Sequence, residues 1–439
     1  MGVEIKGKRG GHVLAVPCPA QGHVTPLMKL SRLIASHGIK VTFVNTESIH
    51  NKIINNNNNI GDSTDTDVDV VLASISDGMA VDDDRRNDSS MMWESLQSTM
   101  AGNLKDLIER INSASSNCDE NISCIIADIS VGWILEIAED LGVEAVGFTP
   151  ASAASLAMVL HIPNLIQQRN LDSYGMYVDS RFTHFSNIKF DAAKSGSNWL
   201  LCNTFDELES SACDLNPKLL PIGPLLNNSS SSFYVEDTSC LSWLDEKPAA
   251  SVIYISFGSL AVFSQHQLDE LALGLQLSGR PFLWVVRSNL TNDGSRVQYP
   301  KGFLDGGLGK IVQWAPQEKV LSHPSVGCFL SHCGWNSTLE GLSAAMPFLC
   351  WPYFADQYHN QNYICDKWKI GLRIENDENG IRPRDEIKKK IEMVFVDDDM
   401  KANALRLKAM AEKSVAREGM GSSFMNFQRF IDHLKGMKA

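Results

Sequence analysis

The sequence predicts an α/β protein built from two doubly wound, Rossmann-like domains, and three observations predict it. Short β-branched runs alternate with amphipathic helical patterns from the N-terminus onward. The alternation stops at a polar stretch, Asn227 to Ser232 (NNSSSS), and then begins again. A chain of 439 residues is also long for one hydrophobic core and comfortable for two.

In the first half, His12 to Pro17 (HVLAVP) reads as a buried strand, Val24 to His37 as a helix and Lys40 to Asn45 (KVTFVN) as the next strand. Asn55 to Asn59 and the acidic Gly61 to Asp69 read as a solvated loop. Ser123 to Ala127 (SCIIA) is strand-like, Trp133 to Leu141 helical, Glu144 to Phe148 strand-like again, and Asn198 to Cys202 (NWLLC) a further strand. The second set starts with Ser251 to Phe257 (SVIYISF) and continues through a Gln265 to Leu277 helix and a Phe282 to Arg287 strand. Near the end, Phe424, Phe427, Phe430, Ile431 and Leu434 share one helical face. The expected boundaries are an N-terminal domain over 1–226, a linker over 227–250, a second domain over 251–421 and a C-terminal helix over 422–439 that packs back on the first domain. A cleft is expected between the two domains.

Composition narrows the function classes. A formal net charge of −13 argues against broad attraction to nucleic acid or anionic lipid. No run of about 18 apolar residues is present, so no membrane span is expected. Met1 to Gly10 lacks the apolar segment of a signal peptide. The ten cysteines show neither C-x-x-C pairs nor metal-ligand spacing, so Cys18, Cys124, Cys202, Cys328 and Cys350 are expected as small core residues of a reduced, cytoplasmic protein without a bound metal. Asn336-Ser337-Thr338 is formally a glycosylation acceptor, but it lies in a crowded turn that a glycan would disrupt.

That turn concentrates many different polar groups. Ser331 to Gly341 (SHCGWNSTLEG) follows the apolar run Val326 to Leu330, where a strand hands over to a helix. Backbone N–H groups and the positive end of a helix dipole make such a place a seat for phosphate. Ser337-x-x-Glu340 taken alone is equally a capping box. His332 and Trp335 are not explained by capping and turn the reading toward a ligand. Phe257-Gly258-Ser259 is a second turn directly after a strand. No G-x-G-x-x-G occurs, Gly306 to Lys310 is followed by Ile311 and is no P-loop, and no G-x-S-x-G elbow is present. In the first half, His23 follows the first strand and Asp128 follows the SCIIA strand; if these strands are neighbours, a His–Asp pair forms, though each residue alone is equally a capping residue. The Asp65-x-Asp67-x-Asp69, Asp82 to Asp84 and Asp397 to Asp399 runs read as solvated charge.

Trp314 to Gln357 resembles, along its whole length, the signature box of plant family 1 UDP-dependent glycosyltransferases: W-A-P-Q-E-K-V-L-S-H, then H-C-G-W-N-S-T-L-E-G, then W-P-Y-F-A-D-Q. P-A-Q-G-H-V-T-P-L-M (Pro19 to Met28), the S-F-G-S turn and C-L-S-W-L-D-E-K-P (Cys240 to Pro248) look like the same family. The resemblance implies the GT-B architecture, with the acceptor held by the first domain and the sugar nucleotide by the second. Carried over by position, it implies that Trp314 stacks on uracil, with Ala315 and Gln317 offering backbone groups to the base edge. Glu340 would accept from the ribose hydroxyls, and His332, Asn336, Ser337 and Ser259 would hold the diphosphate. Trp335, Asp356 and Gln357 would face the sugar, Gln357 favouring glucose.

On the same footing, His23 is the expected general base, oriented by Asp128. A single metal-independent displacement would turn UDP-α-glucose into a β-glucoside. The resemblance leaves open the small plant metabolite that accepts the sugar (flavonoid, phenolic or terpenoid), the site of attachment and an ester or ether product. A monomer is expected. The interval from Phe148-Thr149-Pro150 to Asn198 is shorter than in the relatives that the chain resembles. Competing readings are a GT-B protein that epimerises or hydrolyses a UDP-sugar, and a nucleotide-sugar-binding protein without transferase activity; the His23 and Asp128 pair argues against the second. The absence of G-x-G-x-x-G makes a nicotinamide oxidoreductase remote.

Overall fold

The structure, a computed structural model, describes residues 11–59, 70–80, 89–114, 120–167, 199–226, 234–304 and 307–437. It divides into two compact units, one of Met1–Phe233 with Ser414–Ala439 and one of Tyr234–Lys413.

Unit 1 holds a seven-stranded sheet. Its strands are β1 (His12–Val16), β2 (Lys40–Thr46), β3 (Val70–Ile75), β4 (Ile122–Asp128), β5 (Glu144–Thr149), β6 (Trp199–Cys202) and β7 (Leu219–Pro221), in spatial order β3-β2-β1-β4-β5-β6-β7 with every pair parallel. Apolar runs without alternation are what a sheet covered on both faces requires. Successive residues of β1 show it: Val13 and Ala15 belong to one core cluster, Leu14 and Val16 to another. On β4, Cys124 and Ile126 divide from Ile125 and Ala127 in the same way. The helix Gln21–Ala35 contributes Leu27, Leu30 and Ile34 to the first cluster. The C-terminal helix Ser422–Gly436 completes that cluster with Phe427, Phe430, Ile431 and Leu434, and Asn426 Nδ2 donates to the Pro221 carbonyl at 2.9 Å.

Unit 2 repeats the plan with six parallel strands: β8 (Val252–Ser256), β9 (Phe282–Val285), β10 (Gly309–Val312), β11 (Val326–Ser331), β12 (Phe348–Cys350) and β13 (Gly371–Arg373), in order β10-β9-β8-β11-β12-β13. In each unit the strand order reverses beside the first strand, between β1 and β4 and between β8 and β11. Ligands of open parallel sheets bind at the carboxyl edge of such a switch point.

Three sequence expectations change. The stretch 227–250 is not a linker throughout, because Ser239–Asp245 is a helix of unit 2 with Cys240 and Leu244 buried. Unit 1 resumes at Ser414, ahead of the expected start of the terminal helix at 422. Asn55 to Asn59 continue the helix Glu47–Asn59; helix propagation from a formed turn outweighs the weak propensity of asparagine. The acidic residues from Gly61 to Asp69, Asp82 to Asp84 and most of the interval before Asn198 lie outside the described residues. Among the described residues no helix is long and apolar enough to cross a membrane, and no group of three His, Cys, Asp or Glu side chains is placed to hold a metal.

Candidate active site

Two sets of polar side chains stand at the two switch points. In unit 1, β1 and β4 are direct neighbours, with Val16 beside Ala127, and the chain leaving β1 enters the helix that carries His23. His23 Nδ1 lies 2.7 Å from Asp128 Oδ2. Asp128 is wholly buried, while the His23 side chain is 29% exposed, so the imidazole has one face to the carboxylate and another to solvent. Asp128 Oδ1 accepts from the Ser130 N–H at 2.8 Å, capping the short 3-10 turn Ile129–Val131. The capping and pairing readings of Asp128 therefore both hold, one oxygen for each. With Nδ1–H directed at Asp128, Nε2 is the atom that carries acid–base capacity. Thr149, at the end of β5, is buried; its hydroxyl oxygen accepts from the Ala151 N–H at 3.4 Å and its carbonyl from the Asn203 N–H at 3.1 Å.

In unit 2, Ser259 follows β8 and His332 follows β11, with Ser331 beside Ser256 in the register. His332 is wedged between two glycines. A Cβ at Gly258 would come within 2.6 Å of His332 Nε2, and one at Gly334 within 2.4 Å. Gly258 also has φ +69°, where a side chain is strained. The half-buried His332 ring has its pKa pushed down to about 4, chiefly by desolvation, with the Ser256 main chain opposing and the charge of Arg287 adding to the fall. It is a neutral hydrogen-bonding group at ordinary pH.

The helix Trp335–Ser343 has Gly334 at its N-cap and no side-chain cap. The capping box that Ser337-x-x-Glu340 offers when taken alone does not form, because Ser337 stands in the third helical position rather than at the cap. Both side chains instead converge on Gln317. Gln317 Nε2 donates to Ser337 Oγ at 2.9 Å and to Glu340 Oε2 at 2.6 Å, while its Oε1 accepts from the Tyr254 hydroxyl at 3.0 Å. Burial pushes the Tyr254 phenol well above its ordinary pKa, which keeps it a donor. Asn336 lies in the same first turn, half-buried.

Trp314 leaves β10, and its carbonyl accepts from the Asp237 N–H at 2.9 Å. Its ring lies against Tyr234, with centroids 4.3 Å apart at 31°. Ala315 beside it is buried. At the third place in the box, Asp356 Oδ2 accepts from Asn360 Nδ2 at 3.0 Å, and the same amide reaches the Cys333 carbonyl at 3.0 Å. Gln357 is buried and its Oε1 accepts from the Tyr353 and Phe354 N–H groups at 2.8 and 3.0 Å. Trp335, the first residue of the helix Trp335–Ser343, is 4% exposed, and its ring centroid lies 6.4 Å from that of Trp368 at 43°.

Sequence reasoning missed two residues here. Tyr234 precedes the Cys240 segment and had no motif to mark it. Arg287 ends the apolar run FLWVVR, and a charged residue terminating a buried strand was the available signal.

Comparison with known proteins identifies the family. Residues 235–415 match the UDP-glucoronosyl and UDP-glucosyl transferase family and residues 12–220 the glycosyltransferase N-terminal domain. The chain is 39% identical to UDP-glycosyltransferase 83A1 of Arabidopsis thaliana over 97% of each chain. It is 34% identical to gallate 1-beta-glucosyltransferase 84A24 of Punica granatum, over 97% of this chain and 89% of that one. Among solved structures, Os79 from O. sativa in complex with UDP matches with a TM-score of 0.83 and 27% identity, covering 96% of this chain and 100% of that one. The chain belongs to the plant UDP-glycosyltransferase family. It is an enzyme, a transferase of GT-B fold.

Proposed function

We propose that this protein transfers glucose from UDP-α-glucose to a hydroxyl or carboxyl oxygen of a small plant metabolite, with inversion to the β-glucoside. The observation that carries the reading is the 2.7 Å contact between His23 Nδ1 and the buried Asp128. A wholly buried carboxylate pointed at a half-exposed imidazole is the arrangement that a proton acceptor needs.

In the proposed reaction, His23 Nε2 takes the proton of the acceptor hydroxyl as its oxygen attacks the anomeric carbon. Asp128 holds the tautomer and stabilises the imidazolium that forms. The bond from that carbon to the β-phosphate oxygen breaks, and its electron pair leaves with UDP. Charge on the departing diphosphate meets His332, Ser259 and the first turn of Trp335–Ser343 with Asn336 and Ser337, a preorganised set of donors. Trp314 gives uracil an aromatic face, Ala315 and the Gln317 main chain border the base, and Glu340 accepts from the ribose hydroxyls. Asp356 and the amide nitrogen of Gln357 address the glucose hydroxyls. No step draws on a metal. The names of relatives support the donor and acceptor classes: a gallate glucosyltransferase and a UDP-bound Os79 lie among them.

The test is UDP release from UDP-glucose with a panel of phenolic and terpenoid acceptors, with the anomer of the product read by NMR. Acceptor-dependent release with a β-linked product is expected. Release without acceptor would instead favour hydrolysis, and an α-linked product would contradict inversion.

A further inference from the structure

Arg287 follows β9 at the carboxyl edge of the unit 2 sheet, one strand over from Ser259. It is 6% exposed. Its guanidinium donates to two neutral oxygens, Asn289 Oδ1 at 2.6 Å and the Ala261 carbonyl. No ion pair joins it to a carboxylate among the described residues. A buried cation normally has an anion beside it, because burial without one is among the most expensive arrangements in a protein. Burial does lower its pKa, with only Tyr234 acting in the other direction.

The position of this unmatched charge is specific. The adjacent strands β9, β8 and β11 run out into Arg287, Ser259 and His332 respectively. The turn at 258–261 is held from both sides: His332 packs against Gly258, and Arg287 bonds to Ala261. The charge of Arg287 is felt at His332, where it lowers the pKa. Every other group in the set (Ser259, His332, Asn336, Ser337) is uncharged at ordinary pH, yet the ligand proposed for them is a diphosphate.

We infer that Arg287 is the built-in countercharge for the donor's diphosphate, lying behind the Ser259 turn and supplying the cationic field that the hydrogen-bond donors in front of it lack. This rests on the reading of unit 2 as the UDP-sugar site. Its charge is permanent and fixed, so it needs no reorganisation as negative charge grows on the leaving group. It acts as a positioning residue, through field and through its hold on Ala261.

Calorimetric titration of UDP and of uridine into the native protein, Arg287→Gln and Arg287→Lys tests it. A countercharge predicts that Arg287→Gln weakens UDP by at least about tenfold while uridine is unchanged. Arg287→Lys should recover most of the UDP-over-uridine preference. Should Arg287→Gln not fold, Arg287→Met serves the same comparison. NMR titration of His332 adds a second readout: its pKa rises when the positive charge at 287 is removed. Equal losses for UDP and uridine, or native UDP affinity in Arg287→Gln, would overturn the inference and leave the donor site standing. A native protein that binds no UDP would overturn the donor-site reading itself, and this inference with it.

Discussion

Gln317 Nε2 lies 2.6 Å from Glu340 Oε2, so two residues twenty-three positions apart, each assigned to the nucleoside, hold one another in place. Gln317 is held in turn by the buried Tyr254 hydroxyl. One carboxylate oxygen of Glu340 is thus fixed by protein, and the carboxylate is set in a defined direction before any ribose arrives. Glu340→Gln is expected to weaken UDP binding by about 1.5 to 3 kcal/mol, the scale of a hydrogen bond to a charged group. The loss should be smaller for 2′-deoxy-UDP, which has one ribose hydroxyl fewer to lose. Calorimetry with both nucleotides checks this; equal losses would place Glu340 away from the ribose.

His332 gives the protein a pH signature. Its pKa is lowered from an ordinary 6.5 to about 4 in the folded state. Between these values the unfolded chain takes up a proton and the folded chain does not. Stability from the neutral imidazole is therefore present above about pH 6.5 and lost as pH falls toward 4. The thermal midpoint is expected to fall over this window, and to fall less steeply in His332→Gln. A bound diphosphate works in the opposite direction, because an adjacent anion favours the imidazolium. UDP binding near pH 5 should then take up protons, seen by calorimetry in buffers of different ionisation enthalpy, and take up fewer in His332→Gln. Identical profiles for the two proteins would remove His332 from the site.

Unit 1 depends on a buried carboxylate that no motif announced. Glu209, 1% exposed, accepts from the Ala153 and Ala154 N–H groups at 2.9 and 3.0 Å and from the Thr204 hydroxyl at 2.5 Å. It thereby caps the helix Ala153–Gln167 from fifty-five residues away. Glu209→Ala leaves those donors unmet and is expected to destabilise the protein by on the order of 3 kcal/mol. Urea unfolding measures it; a midpoint within error of native would contradict the assignment.

What the sequence made legible follows the range of the physics involved. Parallel strands buried on both faces read as continuous apolar runs, so β1, β2, β4, β5, β6, β8, β9 and β11 were visible within a residue or two. β3 was hidden behind the acidic stretch that precedes it, and β7, β10, β12 and β13 are too short to show a period. The switch-point positions of His23, Asp128, Ser259 and His332 follow from strand order, which local pattern does not contain. Their places directly after apolar runs marked them as candidates, and the long Trp314–Gln357 motif contained only His332 among them. Side-chain direction was least legible. Ser337 and Glu340 have the spacing of a local cap, and nothing local showed that both bond to Gln317 twenty or more residues away. Arg287 became conspicuous only once its neighbours were known to be neutral.

The central claim is that His23, held by Asp128, removes the acceptor proton. It is tested most directly by kcat for His23→Ala and Asp128→Asn at saturating UDP-glucose and a phenolic acceptor, with UDP affinity measured alongside. The account predicts that kcat falls by about 10²- to 10⁴-fold in His23→Ala, falls also in Asp128→Asn, and that UDP affinity is unchanged in both. Near-native turnover in His23→Ala, with donor binding intact, would contradict it.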